Sequence, residues 1–131
     1  MGIATFLRTT LGFSPSGRGE GGIAIEDIGL YAGTKILAII DTAVTLDSDL
    51  HHGRILDFTA GSAVTVTIPN YLRPDFNCGI SQGGIGQVAL VAASGVTLNE
   101  PSSQFRTSAQ YVMLTLVAFS RNSFRLFGST S

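Results

Sequence analysis

Residues 63–69 read Ala63-Val-Thr-Val-Thr-Ile-Pro69. Val64, Val66 and Ile68 fall on one face of an extended chain and Thr65 and Thr67 on the other, the two-residue period of a strand with one face toward a core and one toward water. Pro69 lacks the N–H that a sheet ladder needs and ends the run. Similar short runs lie on both sides: Thr34 to Ile40, Ala43 to Leu46, Arg54 to Thr59, Phe76 to Ser81, Gln87 to Ala92, Tyr111 to Phe119 and Ser123 to Phe127. Turn clusters separate them, among them Asp47-Ser-Asp49, Ala60-Gly-Ser62, Gln82-Gly-Gly-Ile-Gly86, Ser94-Gly95, Glu100 to Ser103 and Arg121-Asn122. Strands recurring every 8–12 residues or so, with no stretch long enough for a crossover helix, predict an all-β fold, a small antiparallel β-sandwich or barrel. In that reading Gln82–Gly86 is the tight turn of a hairpin between the strands at 76–81 and 87–92, its glycines supplying positive φ.

The N-terminal part differs. Ile3, Ala4, Phe6, Leu7 and Leu11 recur at spacings near three and four, and Gly12 stands where a helix would stop. Such a helix is too short to be stable alone in water. The stretch Ser14-Pro-Ser-Gly-Arg-Gly-Glu-Gly-Gly22 has the composition of a flexible linker. The expected organisation is an extended or short-helical arm over 1–22, with Ile3, Phe6, Leu7, Leu11 and Phe13 as its attachment residues, followed by a β-domain over 23–131.

Composition narrows the function. The chain has 131 residues, one domain's worth, and only 13% are charged against 44% hydrophobic. Soluble domains carry about 25% charge. Mean hydropathy is +0.35. So little charge hints that neighbouring copies or partners cover part of the surface. A net charge of −1 gives no basic face for phosphates, which argues against nucleic acid as a partner. No run of 18 apolar residues is present, so a membrane-spanning helix is not expected, and the N-terminus is a poor signal peptide because Arg8 interrupts its apolar part. The single cysteine, Cys78, excludes an internal disulfide framework and reads as a small buried hydrophobe.

The deficit of charge is regional. Nothing charged lies between Asp75 and Glu100, nor anywhere in 107–120. The second stretch holds Tyr111-Val-Met-Leu-Thr-Leu-Val-Ala-Phe119, apolar on both faces. Either this is a central strand covered on both sides within one domain, or one face meets neighbouring copies. Tyr111, Met113, Val117 and Phe119 are the candidate oligomer interface.

Searches for catalytic or cofactor chemistry find little. His51 and His52 are adjacent, so on a strand their rings point to opposite faces and cannot readily grip one ion; they read as polar loop residues before a strand. Asp47-Ser-Asp49 lacks the glycine and distal glutamate of a calcium loop. Gln82–Gly86 lacks the following helix N-terminus that a phosphate cradle requires. No serine stands in a nucleophile elbow. The expectation is no enzyme, no cofactor and no metal.

From Val44 to Gly128 the order of features is a recognisable set: Val44-Thr-Leu-Asp47, His52-Gly-Arg-Ile-Leu56, Ala63 to Pro69, Phe76-Asn-Cys-Gly-Ile-Ser-Gln-Gly-Gly-Ile-Gly-Gln-Val88, Ser94-Gly-Val-Thr-Leu98, Ser108-Ala-Gln-Tyr111 and Phe124-Arg-Leu-Phe-Gly128. This set resembles a β-rich module of tailed-bacteriophage virion proteins, found in tail and head fibres and capsid-associated proteins. The resemblance covers about two-thirds of the chain, and departs from the usual pattern at Phe124, where such modules often carry tryptophan. It implies a non-enzymatic, trimeric structural protein of the virion. Only a short arm and no fibre shaft precede the module, which points to a capsid decoration, cement or short head-fibre protein made in the host cytoplasm. Its arm would bind the major capsid protein or another virion component. The alternative is a glycan- or host-receptor-binding module of a tail fibre or tail tip, using loops at 69–75 or 99–107.

Overall fold

A computed structural model describes residues 35–131. The arm residues Ile3, Phe6, Leu7, Leu11 and Phe13, and the boundary drawn at 22/23, lie outside the described residues.

The chain winds rather than folds back. Strands β1 (Ile36–Ile39) and β2 (Ala43–Thr45) form a first coil, β3 (Ile55–Phe58) and β4 (Val64–Ile68) a second, and β5 (Asn77–Gln82) and β6 (Val88–Ala92) a third. Ile36, Ile55 and Gly79 stack in parallel register in one sheet. Ala43 stacks parallel on Thr65, and Val64 on Val88, in the other. The same spacing separates Ile55 from Gly79 and Val64 from Val88. This is a three-turn β-solenoid, and the expectation of an antiparallel sandwich or barrel is corrected. Parallel strands ordinarily need a helical crossover. Here each coil returns through the opposite sheet, so neighbouring strands run the same way with no helix between them.

The corners explain the misread glycines. Residues 83–86 join β5 to β6 across two sheets and form no hairpin turn. They lie on residues 59–62 of the coil before: Gly83 and Gly84 both donate their N–H to the Phe58 carbonyl at 2.9 Å, and Gly86 donates to Ala60 at 3.1 Å. A Cβ on Gly86 would overlap the Ser62 carbonyl oxygen, and one on Gly84 the carbonyls of Thr59 and Ala60. The glycines are thus required by close approach of stacked backbone.

At its other corner the second coil opens with a single helical turn, α1 (Ser48–His51). Asp47 caps it, its Oδ2 accepting the N–H groups of Asp49 and Leu50, both at 3.0 Å.

After β6 the chain closes the far end. Strand β7 (Thr97–Asn99) precedes the antiparallel hairpin β8 (Met113–Ser120) and β9 (Ser123–Gly128). β8 pairs antiparallel with β5, giving the six-stranded order β1-β3-β5-β8-β9-β7. Residues 105–107 pair on the edge of β6, with Leu90 N–H donating to Phe105 at 2.8 Å and Thr107 N–H to Val88 at 2.9 Å. Both edges of the third coil are therefore covered.

The core lies between the sheets. Val64, Val66 and Ile68 face Leu56, Phe58 and Ile80, as the alternation of 63–68 requires, with Phe76, Leu114, Leu116 and Phe124 completing it, all essentially inaccessible. Cys78 is in this core, and burial pushes its thiol pKa well above the usual range.

Candidate interaction surface

Strand alternation divides β8 and β9 cleanly. Leu114, Leu116, Phe124 and Leu126 point into the core and are buried. Met113, Val117 and Phe119 of β8 point outward, beside Phe127 of β9. Met113 and Phe127 are exposed, Val117 is half-buried, and Phe119 is 53% accessible. The ring centroids of Phe119 and Phe127 lie 6.3 Å apart, and the Arg125 guanidinium sits 3.9 Å from the Phe119 centroid. An exposed guanidinium over a phenyl ring contributes about 0.5–1 kcal/mol.

Of the four expected interface residues, three therefore share one outer face. Tyr111 does not belong to the strand, which starts at Met113. It sits in a turn at φ +69°, 80% exposed, with its N–H donating to the Gln82 carbonyl at 2.7 Å. The turn ends the alternation there, so Tyr111 borders the face without sharing its period. Phe127 and Arg125 are the members that the sequence reading passed over. The signal for both was available in the alternation Phe124-Arg-Leu-Phe127, whose outward positions are 125 and 127. Packing within the described residues accounts for the inner positions Val112, Leu114, Leu116 and Ala118, whereas Met113 and Phe119 on the outer face stay exposed among them.

The histidines occupy a corner. His51 is the last residue of α1 and is buried, not a loop residue, and its Nδ1 accepts the Asp47 N–H at 2.9 Å. His52 Nδ1 accepts the Asn77 N–H at 3.3 Å, and its ring tilts against Phe76 with centroids 5.7 Å apart. Both imidazoles thus serve as backbone acceptors in the neutral form. Desolvation lowers the pKa of each; the Arg54 charge adds to this at His51 against the opposing Asp47, and Arg73 adds to it at His52 against Asp75. No group of three or more His, Cys, Asp or Glu able to hold a metal ion occurs among the described residues.

The two loops considered for recognition are each tied by a carboxylate. Tyr71 is exposed in the loop 69–75, where Arg73 holds Asp75 through Nε at 2.5 Å and Nη2 at 3.1 Å. The guanidinium hydrogen bond keeps the Asp75 carboxyl below the usual range. In the loop 99–107 Glu100 accepts the N–H groups of Ser102 and Gln104 at 2.7 and 2.8 Å and the Thr130 hydroxyl at 2.9 Å. Its carboxylate is therefore spent on fixing the loop and the C-terminal residues.

A shallow cleft opens at the first coil, lined by Leu37, Ile39, Val44, Leu50, His51 and Arg54 among others. Its aliphatic lining is interrupted by Asp41 and Asp49, which stand with His51 and Arg54 along the same cleft. Among the described residues no helix is long and apolar enough to cross a membrane. Compared with known proteins, the sequence matches no family model and no curated protein.

Proposed function

We propose that the chain is a non-enzymatic structural protein of a tailed-bacteriophage virion, a capsid decoration or short head-fibre protein that oligomerises through the outer face of β8 and β9. The observation that carries the oligomer is the apolar outer face of Met113, Val117, Phe119 and Phe127 on the six-stranded sheet, of which Met113, Phe119 and Phe127 are exposed among the described residues. An exposed cluster of this kind on a domain poor in charge is the usual mark of a surface that meets protein. The virion assignment rests on the ordered resemblance over Val44–Gly128, and the arm over 1–22 is the part proposed to bind the capsid.

Light scattering coupled to size-exclusion chromatography tests the first part. The full chain at micromolar concentration should elute as an oligomer, a trimer in the favoured form, and Phe119→Ser with Phe127→Ser should lower its mass. A stable monomer overturns the reading. For attachment, deletion of residues 1–22 should leave the β-domain folded and abolish decoration of particles; decoration by the truncated chain would disprove the role given to the arm.

A further inference from the structure

Among the described residues, β1 pairs on one side only, with β3. The Lys35 carbonyl accepts from Ile55 at 3.3 Å and the Ile39 carbonyl from Thr59 at 3.0 Å. In a parallel ladder this turns the backbone groups of Lys35, Leu37 and Ile39 toward β3, and those of Ile36, Ala38 and Ile40 toward the free edge. Ile36 is 66% and Ile40 78% accessible. No proline, bulge or charge within the strand blunts this edge. The charges stand at its two ends, Lys35 before it and Asp41 after it. At the far end of the solenoid β8 and residues 105–107 cover the corresponding edges.

We propose that the free edge of β1 docks the β1 edge of a second copy, antiparallel about a two-fold axis through Ala38. In that register Ala38 stands opposite Ala38 of the other copy, and Ile36 opposite Ile40. Lys35 then stands opposite Asp41, twice over. Opposed residues in an antiparallel pair must both direct their backbone groups across the gap, which Ile36, Ala38 and Ile40 do; a slip of one residue breaks this. A slip of two leaves both charges without an opposite partner. Charge complementarity thus selects both the register and the occupant. The contact is self-complementary and closes at two copies along this edge, because each chain brings one β1, whose outer edge is unpaired among the described residues. It uses none of the residues of the outer face of β8 and β9.

The test is Ala38→Cys in the full-length chain. Narrow antiparallel pairs hold Cα atoms about 5.5 Å apart, within disulfide range. Ala38 is exposed, and the single native cysteine, Cys78, is buried. Under mild oxidation most of the protein should run as a covalent dimer on a non-reducing gel. The dimer should persist when Phe119→Ser is added, which separates this edge from the outer face. Lys35→Asp and Asp41→Lys should each lower the cross-linked yield several-fold, and the two together should restore it. Absence of the dimer assigns the edge to another occupant and overturns the proposal; so does cross-linking that ignores both charge changes.

Discussion

The Thr107 hydroxyl donates to the side-chain carbonyl of Gln82, and both residues are buried. The same hydroxyl accepts the Val88 N–H at 3.0 Å, so one small side chain ties β5, β6 and the segment that covers β6. Gln82 completes the link by donating from Nε2 to the Gly84 carbonyl at 3.3 Å. Replacing Thr107 by valine keeps the volume and strands two buried polar groups, each at a cost of about 1–3 kcal/mol. Thr107→Val should therefore lose about 2–4 kcal/mol in urea unfolding, and Thr107→Ser much less. Equal midpoints for Thr107→Val and the parent would show that the pair contributes nothing.

The corner glycines give a sharper contrast. Gly86 has no room for a Cβ because the Ser62 carbonyl occupies it, whereas Gly61, in the corner beneath, has nothing within 4 Å of the same position. Relief of the clash at Gly86 requires two coils to move apart, and over-packing of this kind costs about 1–3 kcal/mol or more. Gly86→Ala should lower the thermal midpoint by several degrees. Gly61→Ala should leave it within error or raise it slightly by restricting the unfolded chain. Equal behaviour of the two variants would contradict the stacking of residues 83–86 on 59–62.

These glycines also show where sequence reading stops. Val64, Val66, Ile68, Leu114 and Leu116 were legible as core because alternation is local and depends only on the pleat. Whether two strands meet as a hairpin or as successive coils is a long-range matter. Gln82–Gly86 satisfies both, since glycine suits a tight turn and a close stack alike. The distinguishing signal was the repeat itself, with glycine-bearing corners at 60–62 and 83–86 each following a strand and preceding a valine, Val64 and Val88, that share a register position. For the outer face, Met113, Val117 and Phe119 were legible from the same period that hid Tyr111. A positive φ at position 111 breaks the alternation and is not written in the identity of a tyrosine.

The histidine corner sets a dependence on pH. His51 and His52 both have pKa values lowered from 6.5, chiefly by burial. The unfolded chain therefore takes up protons before the folded one as the pH falls below about 6.5. The stability they contribute is fully present above that value and declines as pH drops through it. Protonation also turns each Nδ1 from acceptor to donor, opposing the N–H groups of Asp47 and Asn77. Asp75 and Glu100, lowered by hydrogen bonds from Arg73 and Gln104, act in the same sense only near pH 4 and below. Urea midpoints should thus fall between pH 7.5 and pH 5.5, and His51→Gln with His52→Gln should flatten that segment. A parent midpoint unchanged over this range would sink the prediction.

Phe124 and Phe119 lie on opposite faces of the β8–β9 hairpin and should separate folding from assembly. Phe124 is inaccessible and meets Phe76 edge-on, with centroids 6.5 Å apart. Its truncation leaves a cavity beneath the sheet that the neighbouring coils, fixed by their ladders, cannot fill, so Phe124→Ala should cost about 3–5 kcal/mol. Phe119 lies outside and touches Arg125 and Phe127, so within one chain Phe119→Ser should cost no more than about 1 kcal/mol. Its effect should instead appear in sedimentation velocity as a shift to smaller species at a given concentration, with the circular dichroism spectrum unchanged. The reverse outcome, a large loss of stability from Phe119→Ser with assembly intact, would place Phe119 in the fold and remove it from the interface.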